Sequence, residues 1–500
     1  MNKRRNLKNV IYAFIGQLVV LGLSLFVPRF VLTGYGSDTN GLLSTVGQII
    51  AYMTLLEAGI GQAARNELYR YVKDDVFDKE NSSSVMTLSR KVYRNTTKIY
   101  ALLILVLAVV LPFIIKTDLS YLTVFLVILI EGASSVISFY FVQNYTNILI
   151  VDGKQYVNAN IDLVFKGLVY AIKIVMALLG VNIILMEIGF FIATLVKIFI
   201  YEKYVKKHYG WIDYNANIEG KKLKDRGPYI ITEIAWTVFS STDMIVISMF
   251  CSTKKSSVYA IYYMVFITIN KLADAVFTSL KFNLGQIFHK DKEQYKQTHD
   301  VFNSVFVGAL SALLAVAYYL CIPFITLYTD GVSDTDYIDL ALPMGFCLIY
   351  LLSWCRMVSE HLIGVAGYAK KLSKVSIIEV VINIVLSVIF VNRFGISGVL
   401  YATVIALPLK VIYCNILADR VILKRSVFTT VKILLVNIVL FVILASCKHF
   451  INVNIDNYLT FFIYGVCFTL CSAVIFLIAN VLANKNIFAA FKRIFTGDKT

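Results

Sequence analysis

Charge is scarce in this chain. Asp, Glu, Lys and Arg make up 16% of its 500 residues while 58% are hydrophobic, and the mean hydropathy of +0.74 excludes a soluble globular protein. A GxxxxGK[ST] phosphate loop is missing as well, and the longest charged segments, Arg65 to Lys98 and Lys203 to Arg226, are too short for an ATPase domain. There is no CxxC. Cys251, Cys321, Cys347, Cys355, Cys414, Cys447, Cys467 and Cys471 all fall within or at the edge of apolar runs, so neither a disulfide framework nor a zinc site is indicated.

What the chain does have is uninterrupted apolar length. A helix needs about 20 such residues to cross a hydrocarbon core of roughly 30 Å, because lipid offers no partner to a bare backbone amide. Runs of this kind place spans at 9–33, 41–62, 99–116, 120–150, 158–180, 184–201, 229–251, 256–280, 301–328, 340–366, 372–392, 396–418, 430–447 and 458–484. The fold class is therefore all-α, a polytopic membrane protein with fourteen transmembrane helices. The first span follows "MNKRR" as a signal peptide would, but it is too long and lacks a small-residue cleavage site, so it is expected to be retained.

The basic residues orient the spans. With both termini cytoplasmic, 34 of the 47 Lys and Arg fall in inside segments and five in outside loops, Lys116, Lys254, Lys255, Arg393 and Lys448. Adding or removing one central span would destroy that bias. The net charge of +16 is then a basic face beside anionic membrane lipid, and nucleic acid is not needed as a partner.

Two internal echoes suggest a duplicated bundle. "LPFIIKTD" (Leu111 to Asp118) returns as "IPFITLYTD" (Ile322 to Asp330), with the prolines 211 residues apart. "ILIVDGK" (Ile148 to Lys154) returns as "LIGVAGY" (Leu362 to Tyr368), with the glycines 214 apart. Spans 1 to 6 and 7 to 12 then read as copies of one orientation. The expected division is an N-terminal lobe at 1–208, a cytoplasmic linker at 209–228, a C-terminal lobe at 229–420, two added helices at 421–484 and an amphipathic cytoplasmic tail at 485–500.

The proline-arginine pair ending span 1 and the turn at Gly34, Gly36 and Gly41 follow the opening "KNVIYAFIGQLVVLGLSL". Together with "LLEAGIG" closing span 2 and the block from Leu362 to Val404, they resemble the polysaccharide flippases of the Wzx type. The wider superfamily includes the multidrug and toxin extruders and the lipid II flippases. The resemblance implies a V-shaped transporter of the bacterial cytoplasmic membrane, its central cavity lined mainly by spans 1, 2, 7 and 8. It also implies the cargo, an undecaprenyl-diphosphate-linked oligosaccharide such as an O-antigen or capsule repeat unit, carried from the cytoplasmic to the outer leaflet by alternating access. A glycan polymerase is an implied partner, a proton or monovalent cation an implied coupling ion, and no cofactor is called for.

Such cargo needs a wet, partly cationic cavity and no nucleophile. A charge at the bilayer centre costs at least about 2.5 kcal/mol, so ionisable residues within spans are functional candidates. The cationic ones are Arg29, Lys173, Lys271, Arg356 and Lys410, expected to face substrate; the acidic ones are Glu57, Glu131, Asp243 and Asp274, expected to serve ion coupling. Each has a plainer reading. Arg29, about four residues or roughly 6 Å from the end of its span, can snorkel to the interface. Lys271 with Asp274, and Arg356 with Glu360, are spaced as structural pairs on one helix face; Lys173 and Glu131 can pair across spans 4 and 5; and a partner on another helix remains open for Asp243. In the functional reading Pro28 loosens the last turn of span 1, Arg29 offers a fork to phosphate oxygens, and the glycines allow a tight return.

Two rival classes bear on the same residues. A multidrug extruder shares the fold but calls for an acidic cavity rather than a mixed one. A glycan polymerase or ligase needs catalytic groups on a long outer loop, whereas the longest here lie around Asp330 to Asp339 and Cys447 to Asn457. The chain reads as a transporter and not an enzyme.

Overall fold

The computed structural model describes residues 3–54, 60–73, 76–218, 227–448, 455–484 and 487. Within them the chain forms α1 Lys3–Thr54, α2 Ile60–Tyr69, α3 Lys79–Ile114, α4 Tyr121–Val151, α5 Gln155–Leu178, α6 Ile183–His208 and α7 Gly227–Phe250. There follow α8 Thr253–Lys290, α9 Lys292–Tyr328, α10 Ala341–Val365, α11 Ala369–Phe394, α12 Ile396–Ile416, α13 Phe428–Cys447 and α14 Tyr458–Ala483. A π-helical turn, Leu417–Ile422, prolongs α12, and β1 Val72–Lys73 pairs antiparallel with β2 Val76–Phe77 between α2 and α3. Ten of the described helices are long and apolar enough to cross a membrane, and the protein is an all-α, multi-pass membrane protein.

The surface follows from the solvent. On α14, Leu459, Phe462, Leu470 and Leu482 stand exposed, a face that acyl chains satisfy, while Asn480 turns inward. It exchanges amide hydrogen bonds with Asn437 of α13 at 2.7 and 3.1 Å against Gly308 of α9, where a Cβ would strike the Asn480 amide. Polar groups and small residues hold these helices because lipid gives apolar side chains no reason to prefer one another.

The fourteen expected spans map onto these helices with one difference at the start. Spans 1 and 2 run together as α1, broken by a single residue, Gly36, at φ 84° and ψ 173°. This backbone favours glycine, and Gly36 alone makes the bend where a tight return over Gly34, Gly36 and Gly41 was expected. Gly34 serves closeness instead, since its face lies against the Ala177 backbone of α5. Residues 55–59 and 219–226 lie outside the described residues, as does the expected tail at 485–500 apart from residue 487. The first part of the expected linker folds onto α3, where the Asp213 amide donates to the Ser83 hydroxyl at 3.1 Å.

The chain divides into two compact units between Ser257 and Val258. In the first, Leu42, Val46 and Ile49 of α1 pack with Leu111 of α3, Val124 and Ile128 of α4 and Met186 of α6. In the second, Phe266 of α8 stacks on Phe346 and Tyr350 of α10, and Trp354 is wholly enclosed.

Local geometry recurs between the units at the spacing read from the sequence. Pro112 lies inside α3 and Pro323 inside α9. Helix α4 closes at Gly153 (φ 67°) and α10 at Gly367 (φ 83°). Both ends use the same pair of bonds, Gly153 to Ile150 and Lys154 to Leu149 in one, Gly367 to Gly364 and Tyr368 to Ile363 in the other. This double closure around a left-handed glycine is a Schellman motif. Gly180 and Gly395, both with φ near 60°, stand at the next turn of each unit.

Candidate functional site

Helices α10, α11 and α12 bring four charges together inside the second unit. Arg356 reaches Glu379 at 2.5 Å and Glu360 at 3.4 Å. Lys410 reaches Glu360 at 2.9 Å and Glu379 at 3.8 Å. Arg356, Glu379 and Lys410 are buried. Each cation touches both carboxylates, so two positive and two negative charges cancel where an unpaired one would be prohibitive. This geometry gives Arg356 and Lys410 structural partners.

The first unit holds a smaller and unequal cluster. Lys173 of α5 lies 3.9 Å from Glu187 of α6, and Glu131 of α4 lies within electrostatic reach of both. Lys173 also lies 5.7 Å from the centre of the Phe190 ring. The lysine thus pairs with Glu187 where Glu131 was expected, Glu131 standing within electrostatic reach, and the group has two carboxyls for one ammonium.

The remaining candidates are dispersed. Asp243 of α7 is buried within electrostatic reach of Tyr52 on α1, whose hydroxyl lies 2.5 Å from that of Thr242. Asp274 of α8 accepts from the Asn270 amide at 2.9 Å, and Asn270 in turn accepts from the Trp354 indole at 2.9 Å. Lys271 is exposed one turn away. Arg29 lies seven residues before the Gly36 bend, roughly 10 Å at helical rise, which is deeper than the sequence suggested; Thr33 closes its turn by donating to the Arg29 carbonyl at 2.9 Å. Glu57 lies outside the described residues.

The Gly36 bend leads into a polar latch. Asp38 accepts from the Asp118 amide at 2.7 Å and from the Thr253 hydroxyl. The Thr253 amide donates to the Lys116 carbonyl at 2.9 Å, and the Lys116 amide to Ser248 at 3.0 Å. Lys254 pairs with Asp118 at 2.7 Å. One turn deeper, Asn40 donates to Ser257 at 2.7 Å and Thr45 meets Ser248 at 2.6 Å. Gly41 faces the Thr253 carbonyl with no room for a Cβ. The bend of α1, the α3–α4 turn and the α7–α8 turn are thereby tied together.

At the far end of α8 a cavity of about 880 Å³ is lined by Lys281, Gly285, Gln286, His289, Lys290 and Val365. Among the described residues, two lysines and a histidine line it and no carboxylate does. Lys281 also sits over the Phe277 ring, 5.1 Å from its centre, while His361 meets the same ring edge to face at 5.8 Å. Lys281 lies within electrostatic reach of Glu360, so the cavity borders the four-charge cluster.

Sequence reasoning passed over Glu187 and Glu379, although both are ionisable residues inside expected spans and met the criterion used for the others. It also passed over Lys281, Lys290 and Asp38, which sit at span ends where charge is ordinary; only the folded geometry singles them out.

No protein-family model and no curated protein sequence matches this chain. Solved structures do. The lipid II flippase MurJ in its inward closed conformation is similar over 93% of this chain and 98% of that one, with a TM-score of 0.68 at 16% identity. An inward-facing multidrug resistance MATE family transporter of the MOP superfamily is similar over 86% and 99%, with a TM-score of 0.64 at 13% identity. The MATE multidrug transporter DinF-BH is similar over 85% and 97%, with a TM-score of 0.58 at 17% identity. The chain has the fold of the MOP-superfamily transporters and lipid flippases.

Proposed function

We propose that the protein is a flippase for a polyprenyl-diphosphate-linked oligosaccharide, moving it from the cytoplasmic to the outer leaflet of a bacterial cytoplasmic membrane with both termini on the cytoplasmic side. The observation that carries this reading is the basic cavity at the end of α8. Lys281, Lys290 and His289 with Gln286 offer donors and positive charge to phosphate oxygens, whereas an organic cation calls for carboxylates there. In this reading the cavity opens on the cytoplasmic side, where a lipid-linked glycan is assembled; the distribution of Lys and Arg supports that orientation. The latch around Asp38 is then on the outer side, where it serves as the outer closure. Transport requires the bend of α1 to part from the α7–α8 turn. Arg29, two turns deeper than the bend, receives the phosphates on the way.

The flippase in the similar MurJ structure and the resemblance of the sequence to Wzx-type motifs support a lipid-linked cargo. A polymerase or ligase reading calls for a long outer loop, and the longest in the sequence are the short segments around Asp330 to Asp339 and Cys447 to Asn457. Binding tests the proposal. Undecaprenyl diphosphate added to the purified protein in nanodiscs is expected to bind, with the K281A/K290A variant losing at least tenfold in affinity and undecaprenol binding no better to one than to the other. Preferential binding of tetraphenylphosphonium, unaffected by those substitutions, would instead favour an extruder of organic cations.

A further inference from the structure

The two units differ in how their buried charges balance. In the second, Arg356 and Lys410 cancel Glu360 and Glu379. In the first, Lys173 faces both Glu131 and Glu187, and one negative charge is left over. Glu187 has no exposed surface, and neither of its carboxyl oxygens has a hydrogen-bond partner, nor has Glu131 Oε2, although Glu131 and Glu187 lie within electrostatic reach of one another. Two carboxylates cannot hydrogen-bond to each other, since each is an acceptor only; a carboxylic acid and a carboxylate can. Like charges this close in a low-dielectric interior also cannot both persist.

From this we infer that Glu131 and Glu187 form a proton-binding site, holding one proton between them beside the Lys173 ammonium. With that proton the group is neutral, two carboxyls sharing a single negative charge against one lysine. The groups facing the pair are Lys173 of α5, itself within reach of Tyr170, and Tyr35 of α1, while α3 presents Ile104 against Gly132. A metal cation fits poorly, because the ammonium already sits 3.9 Å from Glu187 and no metal-ligating group of three or more is found among the described residues.

A cavity lies within a helical turn of the pair. A cavity of about 190 Å³ is lined by Ser134, Ser135, Ser138 and Gln143 of α4 and by Thr194 and Phe190 of α6. Ser134 and Ser135 lie one turn from Glu131, and Phe190 lies beneath Lys173. Ile50, Tyr100, Phe139 and Phe165 complete its walls, and a space of this size holds several waters beside the hydroxyl and amide groups. At the other side Tyr35, within electrostatic reach of Glu187, precedes the Gly36 bend. The site thus lies next to the segment that carries the latch.

The test needs no transported substrate, so its failure is distinct from failure of the flippase reading. Infrared difference spectra of the full-length protein in nanodiscs, with and without ¹³C-glutamate, are recorded across a pH titration in sodium and in choline buffer. The expected result is one buried, protonated glutamic acid carbonyl at neutral pH, lost in E131Q and in E187Q and indifferent to sodium. A dye-based count of protons released on alkalinisation should fall by one in E187Q. This variant keeps one carboxyl, Glu131, within electrostatic reach of the Lys173 ammonium and is expected to stay folded. Absence of the band in the wild type, its persistence in both variants, or its removal by sodium would each overturn the proposal.

Discussion

Glu379→Gln is the most direct probe of the charge cluster in the second unit. The substitution keeps the shape and removes one of two negative charges, leaving Arg356 and Lys410 to share Glu360. Glu379 lies 2.5 Å from Arg356 and 3.8 Å from Lys410, and almost none of it is exposed. Removing one member of a buried ion pair costs about 3–5 kcal/mol because the partner is stranded. For a unit of this size that corresponds to a fall on the order of 10 °C in melting temperature. The double variant R356M/E379Q restores balance, with Lys410 and Glu360 still 2.9 Å apart. It is therefore expected to be more stable than E379Q alone and within about 2 kcal/mol of the wild type, since buried pairs are often replaceable by apolar groups of similar volume. Fluorescence-detected size-exclusion after graded heating in detergent measures all three. A single variant as stable as the wild type, or a double variant worse than the single, would refute a dry, mutually compensating cluster.

Other expectations follow from the latch, the cavity and α1. Gly41→Ala pushes a methyl group into the Thr253 carbonyl and should loosen the latch, read as faster thiol labelling of Ser248→Cys in a background lacking the native cysteines. Asp38→Ala removes the acceptor for the Asp118 amide and the Thr253 hydroxyl, with a similar gain in labelling and a stability loss of about 1–3 kcal/mol. Arg29→Gln should lower flipping at least tenfold in a complementation assay at normal protein levels; full activity would confine Arg29 to the interface.

Much of the fold was legible because lipid imposes one rule on every span. Continuous apolar runs such as 458–484 can only be helices, and Gly153 and Gly367 announced equivalent helix ends because a left-handed closure leaves few other choices of residue. The joining of spans 1 and 2 was not legible. Pro28 and Arg29 read as a loosened last turn of span 1 and the three glycines as the tight return, while in the fold only Gly36 bends the chain and Gly34 and Gly41 serve close packing. Partner choice was hidden for a different reason. Glu379 meets Arg356 and Lys410 through the packing of three helices, and Glu187 meets Lys173 across α5 and α6, pairings that no spacing along one helix specifies. The basic cavity was obscured because Lys281 and Lys290 look like ordinary charges at a span's cytoplasmic end.

The central claim is that this chain carries a phosphorylated polyprenyl lipid across a bilayer, and reconstitution measures that directly. Proteoliposomes loaded with a fluorescent undecaprenyl-diphosphate-linked oligosaccharide report leaflet exchange through the fraction protected from an impermeant quencher. The account predicts rapid loss of protection with the wild-type protein and little with K281A/K290A. Exchange no faster than in protein-free vesicles, together with gradient-driven export of tetraphenylphosphonium, would contradict it.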